Sequence, residues 1–152
     1  MDLTGQPAPQ FNLKAHTGED ITLEGFQGSK NVLLIFYPLD FSSVCSIQLP
    51  EFSAYKDEFL EHDTVILGIN RDSVHTHKAW AKEYGIEVPL LADMNLATAK
   101  AYGVALEERA MSTRGTFLID KQGIVVLQHV ESSTGEFSLH ADEVLERVKT
   151  LS

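Results

Sequence analysis

The longest unbroken apolar stretch runs from Val32 to Leu39 and is ended as a strand by Pro38, after Asn31-Val32-Leu33-Leu34-Ile35-Phe36-Tyr37. A run of β-branched, aliphatic and aromatic residues of this length suits a strand covered on both faces. Thr64 to Ile69 and Thr116 to Ile119 read the same way, and Asp120-Lys121-Gln122-Gly123 then leads into the apolar Ile124 to Leu127, which predicts an antiparallel hairpin. Near the start, Gly5 to Leu13 alternates weakly and is placed to pair with Ile21-Thr22-Leu23 across Thr17-Gly18.

Helical periodicity fills the gaps. Ser73 caps a helix over Val74 to Tyr84 that Gly85 ends, with Val74, His77, Trp80, Ala81 and Tyr84 on one stripe. Leu96 to Tyr102 is a shorter helix closed by Gly103, and Ser138 is the expected cap of a last helix whose inner face is Val144, Leu145, Val148 and Leu151. Between the first two buried strands, a helix beginning near Ser42 or Ser43, with a serine as its cap, carries Cys45, Gln48, Phe52, Tyr55 and Phe59 on one stripe. Pro50 lacks the N–H for the Ser46 carbonyl, so a kink is expected there. The order strand, helix, strand, helix, hairpin, helix predicts an α/β domain over residues 1–152, a central mixed sheet flanked by helices with an N-terminal hairpin. In such sheets sites collect beyond the carboxyl ends of parallel strands, where Pro38 to Cys45 lies.

The chain has 152 residues, near the common size of one domain, and enough to bury a core without disulfides or structural metal. Its 12 Lys and Arg against 22 Asp and Glu give a formal charge of −10, which argues against nucleic acid and anionic membranes as partners. No apolar run reaches spanning length, and Met1-Asp2-Leu3-Thr4 lacks the regions of a signal peptide, so the cytoplasm is the expected location. Cys45 is the single cysteine, which forbids an intrachain disulfide and removes cysteine-rich zinc sites. His75 and His77 do not share a helix face and have no further ligands at suitable spacing, so no metal or cofactor is expected.

A free thiol is only about 3% thiolate at pH 7, and the thiolate is the reactive form. A helix N-terminus favours an anion by roughly 0.3–1 kcal/mol, and a guanidinium about 4 Å away is worth roughly 4 kcal/mol at an effective dielectric near 20. Arg109 and Arg147 read as solvated, while Arg71 and Arg114 each follow or enter a strand, Arg114 with modest preference.

Pro38-Leu39-Asp40-Phe41-Ser42-Ser43-Val44-Cys45 resembles the active-site pattern of the peroxiredoxins, Arg114 to Asp120 their Arg-bearing strand, and Gly5 to Phe11 their opening segment. Lys30 to Pro38, Pro89 to Asp93 and Ala101 to Val104 fall in the same order, and the resemblance is closest to the small alkyl hydroperoxide reductase E and bacterioferritin-comigratory types. It implies a thioredoxin-like fold and a thiol peroxidase. Cys45 would attack a hydroperoxide and become a sulfenic acid, Arg114 would hold thiolate and peroxide, and Ser42 would hydrogen-bond the peroxide. Pro38 would shield the thiol, and the N–H groups of Val44 and Cys45 would complete the pocket. Dimers are implied too, with Trp80 and Tyr84 in the core or at that surface.

Three departures from the family pattern stand out. Ser42 replaces the more frequent Thr, Gln48 stands where Glu is frequent, and Pro50 holds the place where one branch keeps a resolving cysteine. The sulfenic acid therefore needs an external thiol or redoxin. The competing reading is a non-enzymatic thioredoxin-like binding or chaperone-like module; a dithiol oxidoreductase is disfavoured because Cys45-Ser46-Ile47-Gln48 lacks the second cysteine.

Overall fold

The computed structural model describes residues 2–151 and begins with a hairpin shorter than expected, β1 (Asn12–Lys14) antiparallel to β2 (Asp20–Thr22) with Leu13 opposite Ile21, while Gly5 to Phe11 lies outside it. The buried run becomes β3 (Asn31–Phe36), followed by α1 (Cys45–Ala54), α2 (Lys56–Glu61), β4 (Thr64–Asn70) and α3 (Val74–Tyr84). Then come β5 (Leu90–Ala92), α4 (Ala97–Ala101), a small hairpin of β6 (Ala105–Leu106) and β7 (Met111–Ser112), the pair β8 (Gly115–Ile119) and β9 (Val125–Val130), and α5 (Ala141–Val148). The central sheet has the order β5-β4-β3-β8-β9. β3, β4 and β5 are parallel, whereas β8 is antiparallel to both β3 and β9. This is the mixed sheet of a thioredoxin-like α/β fold.

Side chains alternate along β3 because a strand has a period of two. Val32, Leu34 and Phe36 pack with Phe117, Ile119, Tyr102 and the N-terminal hairpin, while Leu33, Ile35 and Tyr37 pack with Leu118 and with α1, α2, α3 and α5. Every residue of β3 is buried, as a strand covered on both faces requires.

Several local expectations are met. Ser73 Oγ accepts the Thr76 N–H, Gly85 closes α3 in the left-handed region, and Asp120 Oδ1 accepts from Gln122 and Ile124 in the hairpin turn. Others shift. α1 continues through Pro50, and the helical break comes at Tyr55, whose φ of −96° and ψ of 2° separate α1 from α2. The predicted Ser42 or Ser43 cap is absent: the Ser46 N–H bonds the Ser42 carbonyl, the residue before α1 is Val44, and no side chain caps that end. Nor does Ser138 cap α5. It bonds Glu131 instead, and α5 starts after His140, whose N–H donates to Glu143. β5 and the β6–β7 pair were not anticipated, being too short for a periodic signal.

Gly68 lets α1 lie close to the sheet. A Cβ there would sit 2.7 Å from Leu90 Cδ2 and 3.2 Å from Leu49 Cδ1, both in fully buried side chains. Gly68→Ala is expected to cost about 1–3 kcal/mol by overpacking, read as a lower urea midpoint. An unchanged midpoint would show that Leu49 and Leu90 can retreat.

Candidate active site

β3 delivers the chain to the carboxyl edge of the sheet, where buried Pro38 follows Tyr37 and Phe41 turns it with a φ of +68°. A non-glycine residue held in this region is strained unless its surroundings fix it. The fixing contacts are visible. Ser112 Oγ donates to the Tyr37 carbonyl, the Tyr37 hydroxyl donates to Asp40, and the Asp40 N–H donates to Asp72. The chain then enters α1, with the Ser46 N–H bonded to the Ser42 carbonyl and the Ile47 and Gln48 N–H groups to that of Val44. The amides of Val44 and Cys45 precede these bonds and have no protein acceptor among the described residues.

β8 runs antiparallel to β3 with Gly115 opposite Phe36, so Arg114 stands level with the exit of β3. The guanidinium is 2% exposed as a residue and turned inward. Its Nη2 lies 2.9 Å from Cys45 Sγ, Nη1 donates to Gln48 Oε1 at 2.8 Å, and Nε donates to the Thr134 carbonyl at 2.9 Å. Cys45 itself is fully buried. A guanidinium carries five N–H donors, so two remain beyond these three contacts. None of its partners among the described residues is a carboxylate.

The loop that supplies the Thr134 carbonyl is closed by Glu131, which accepts from the Ser138 N–H at 2.7 Å and from its hydroxyl, and meets His129 Nε2 at 2.9 Å. Burial works to raise the Glu131 carboxyl, but the Ser138 bonds and His129 outweigh it and hold it below the usual range. On the other flank the Ser42 hydroxyl oxygen is buried without a partner, which makes it the one such side-chain atom among the described residues. Buried polar atoms are rarely left so.

The arrangement decides between the two arginines: Arg114 reaches the sulfur, and Arg71 stands half-buried after β4 with no bond to it. Arg109 and Arg147 are exposed as expected. Gln48 supplies an amide oxygen to Arg114, so the place of a carboxylate is taken by a neutral acceptor. Trp80 is fully buried with its Nε1 donating to Ser46, whereas Tyr84 is 42% exposed. Among the described residues no group of three or more His, Cys, Asp or Glu is placed to hold a metal. Sequence reasoning missed the Thr134 carbonyl, which any residue type would supply, and the loop contacts of Asp40, a lone acid in an apolar stretch.

Residues 4–128 match the model of the AhpC/TSA family. The chain belongs to that family, the peroxiredoxins. Alkyl hydroperoxide reductase E of Mycobacterium tuberculosis strain H37Rv is 39% identical over 123 residues, 80% of either chain. The chloroplastic 2-Cys peroxiredoxin BAS1 of Hordeum vulgare is 34% identical over 161 aligned residues, covering 99% of this chain and 76% of the relative. Among solved structures, reduced Plasmodium vivax 2-Cys peroxiredoxin superposes with a TM-score of 0.87 at 33% identity, covering 98% of this peroxiredoxin and 96% of that one. Enterococcus faecalis AhpC gives 0.89 at 27% identity, covering 99% and 92%.

α1 is tied to α5 in this peroxiredoxin by Glu51, which accepts the Ala141 N–H and meets His140 Nδ1 at 3.1 Å. The Glu51 bond raises the His140 imidazolium above its usual value of 6.5. A raised folded value means a contribution fully present below about pH 6.5 and lost as pH rises through the folded value. The stability difference between the protein and His140→Gln, measured by urea unfolding, is expected to be largest below that pH and to shrink above it. A difference independent of pH would remove the ionic part of this contact.

Proposed function

We propose that the protein is a one-cysteine thiol peroxidase in which Cys45 reduces hydrogen peroxide or organic hydroperoxides. The observation that carries this reading is the buried Arg114 guanidinium 2.9 Å from the Cys45 sulfur at the start of a helix. The thiolate attacks the distal peroxide oxygen, an S–O bond forms as the O–O bond breaks, and the leaving oxygen departs with a proton as water or alcohol. Cys45 is left as a sulfenic acid.

Each neighbour has a share in this step. Arg114 steadies the thiolate and aims its two spare N–H groups at the peroxide oxygens, where charge develops. Ser42, whose hydroxyl has no protein partner, donates to the peroxide; the Val44 and Cys45 amides receive the oxygens; Pro38 keeps bulk water from the sulfur. Raising the thiolate fraction alone gains about thirtyfold, and nucleophilicity falls as the thiol becomes more acidic, so polarising the O–O bond supplies the rest.

With Cys45 the single cysteine, no internal disulfide can form. A first molecule of external thiol, small or carried by a redoxin, condenses with the sulfenic acid to a mixed disulfide and water, and a second releases reduced Cys45. We place the enzyme in the cytoplasm as a homodimer. Among the described residues no helix is long and apolar enough to cross a membrane.

Hydrogen bonds to a charged group are worth about 1.5–3 kcal/mol, so Arg114→Gln is expected to slow sulfenic acid formation by about 10- to 150-fold. Ser42→Ala removes one neutral bond and is expected to cost about 2- to 12-fold. Stopped-flow oxidation by stoichiometric hydroperoxide, with a sulfenic acid trap, checks both. Wild-type modification no faster than that of free cysteine would leave a binding module instead of an enzyme.

A further inference from the structure

Behind the reactive loop lies a buried ionisable pair for which the proposed peroxide step has no use. Asp40 sits between Pro38 and Ser42, and His77 comes from the inner stripe of α3; both side chains are fully buried. His77 Nδ1 is 2.5 Å from Asp40 Oδ2, and His77 Nε2 is 2.9 Å from the Leu91 carbonyl of β5. Asp40 Oδ1 accepts from the Tyr37 hydroxyl at 2.7 Å and from Asn70 Nδ2 at 3.1 Å. One carboxylate thus ties the reactive loop to the ends of β3 and β4, to α3 and, through the ring, to β5.

Hydrogen-bond chemistry fixes the proton count. A carbonyl only accepts, so Nε2 carries a hydrogen. Nδ1 and Oδ2 would otherwise face each other as two acceptors, so a second hydrogen lies between them, and the pair as a whole is a one-proton link. The Tyr37 and Asn70 donors account for Oδ1. Around this link stand the Tyr37 hydroxyl just after β3, with Cys45 beyond it on α1, Asp72 ahead of α3, and His16 after β1, which in turn feels Lys78 of α3. Asp72 adds negative charge beside Asp40, because its Oδ2 accepts the Asp40 N–H. Losing the shared proton would leave a buried carboxylate against a ring lone pair and a second carboxylate, which only hydration of Asp40 relieves.

We propose that Asp40 and His77 are positioning residues whose shared hydrogen bond latches residues 38–45 against Arg114. The inference rests on the peroxidase reading for its kinetic arm only.

Asp40→Asn separates charge from shape. An Asn there can accept from Tyr37 and Asn70 through its oxygen and donate to His77 Nδ1, so every hydrogen bond is kept while the shared proton disappears. At neutral pH this variant is expected to keep the wild-type rate of Cys45 oxidation to about threefold. Hydrogen exchange of the 38–45 amides should be as slow in Asp40→Asn as in the wild type and faster in His77→Gln, beyond any change at amides elsewhere in the sheet. The downfield ring N–H signal of a short bond should also be present in the wild type and absent in Asp40→Asn.

His77→Asn and His77→Gln provide the second arm. The shorter amide donates where Nδ1 does and the longer one where Nε2 does, so His77→Asn is expected to retain oxidation near the wild-type rate. His77→Gln is expected to slow it by about 10- to 100-fold, the penalty of a loop displaced by about 1 Å. Fast 38–45 exchange in folded Asp40→Asn, or equal exchange and oxidation rates in folded His77→Asn and His77→Gln, would overturn the latch. Exchange and ring signal need no turnover. A wild type inert to hydroperoxide whose 38–45 amides exchange slowly, and faster in His77→Gln, therefore sinks the peroxidase reading and leaves the latch standing.

Discussion

A single guanidinium, taken out of water and held with neutral acceptors on two sides and one sulfur on the third, sets the terms for the rest of this site. Removing an arginine from solvent costs several kcal/mol even after relaxation, and breaking a buried charge pair costs more because the remaining charge is stranded. Gln48 and the Thr134 carbonyl contribute dipoles to Arg114 but no charge. The remaining partner is the Cys45 sulfur, so a thiolate formed there faces Arg114 without a competing carboxylate. A carboxylate at position 48 would have shared that task. With an amide there, the electrostatic balance of the pocket rests on the redox-active atom itself, so any change in the charge on sulfur is felt directly by Arg114.

Topology explains how such a charge comes to be available. In a wholly parallel sheet, the residue ahead of a strand lies at the opposite end from the residue behind its neighbour. Because β8 is antiparallel to β3, its entry and the exit of β3 coincide, with Gly115 opposite Phe36. Arg114 therefore stands at the edge where the Pro38 loop begins, one step outside a strand that is buried throughout. The β9 end closes the same edge, since the Glu131 N–H bonds the Arg114 carbonyl and the Glu131 carboxylate folds the following loop back through Ser138. That loop then offers Thr134 to the arginine. The rigidity of the guanidinium is thus drawn from two strand ends and a stapled loop.

How much of this was legible follows from where the information resides. The longer strands and α3 were written in periodicity, since a face that must be buried has to repeat at 2.0 or 3.6 residues, and Val32 to Tyr37 or His77, Trp80 and Ala81 could hardly be read otherwise. The choice of Arg114 over Arg71 was only weakly legible, because spacing says nothing about which strand is reversed. Pro50 was read as a kink, yet α1 runs through it and breaks at Tyr55. The packing of Leu49 and Phe52 below the proline, both fully buried, supports the turn that the missing N–H weakens. Ser42 was read as both cap and ligand, but a serine whose carbonyl already accepts the Ser46 N–H leaves its hydroxyl free for another partner. Contacts made by backbone carbonyls, such as Thr134, carry no residue signature at all.

Seen from the sulfur outward, the site is held by groups that differ in what can disturb them. Gln48 and Thr134 hold Arg114 through neutral dipoles that pH does not change. Asp40 and His77 hold the loop through a proton, and Tyr37, which donates to that carboxylate, is pushed well above its usual value by burial and then by Asp40, so it stays a donor throughout. The arginine side of the pocket is therefore held by dipoles and the loop side by a shared hydrogen. Such a division suits a thiol that is fully buried yet must meet a small oxidant and then a larger reductant. The electrostatic wall stays in place beside a loop whose Phe41 sits in a backbone region held only by its neighbours' bonds.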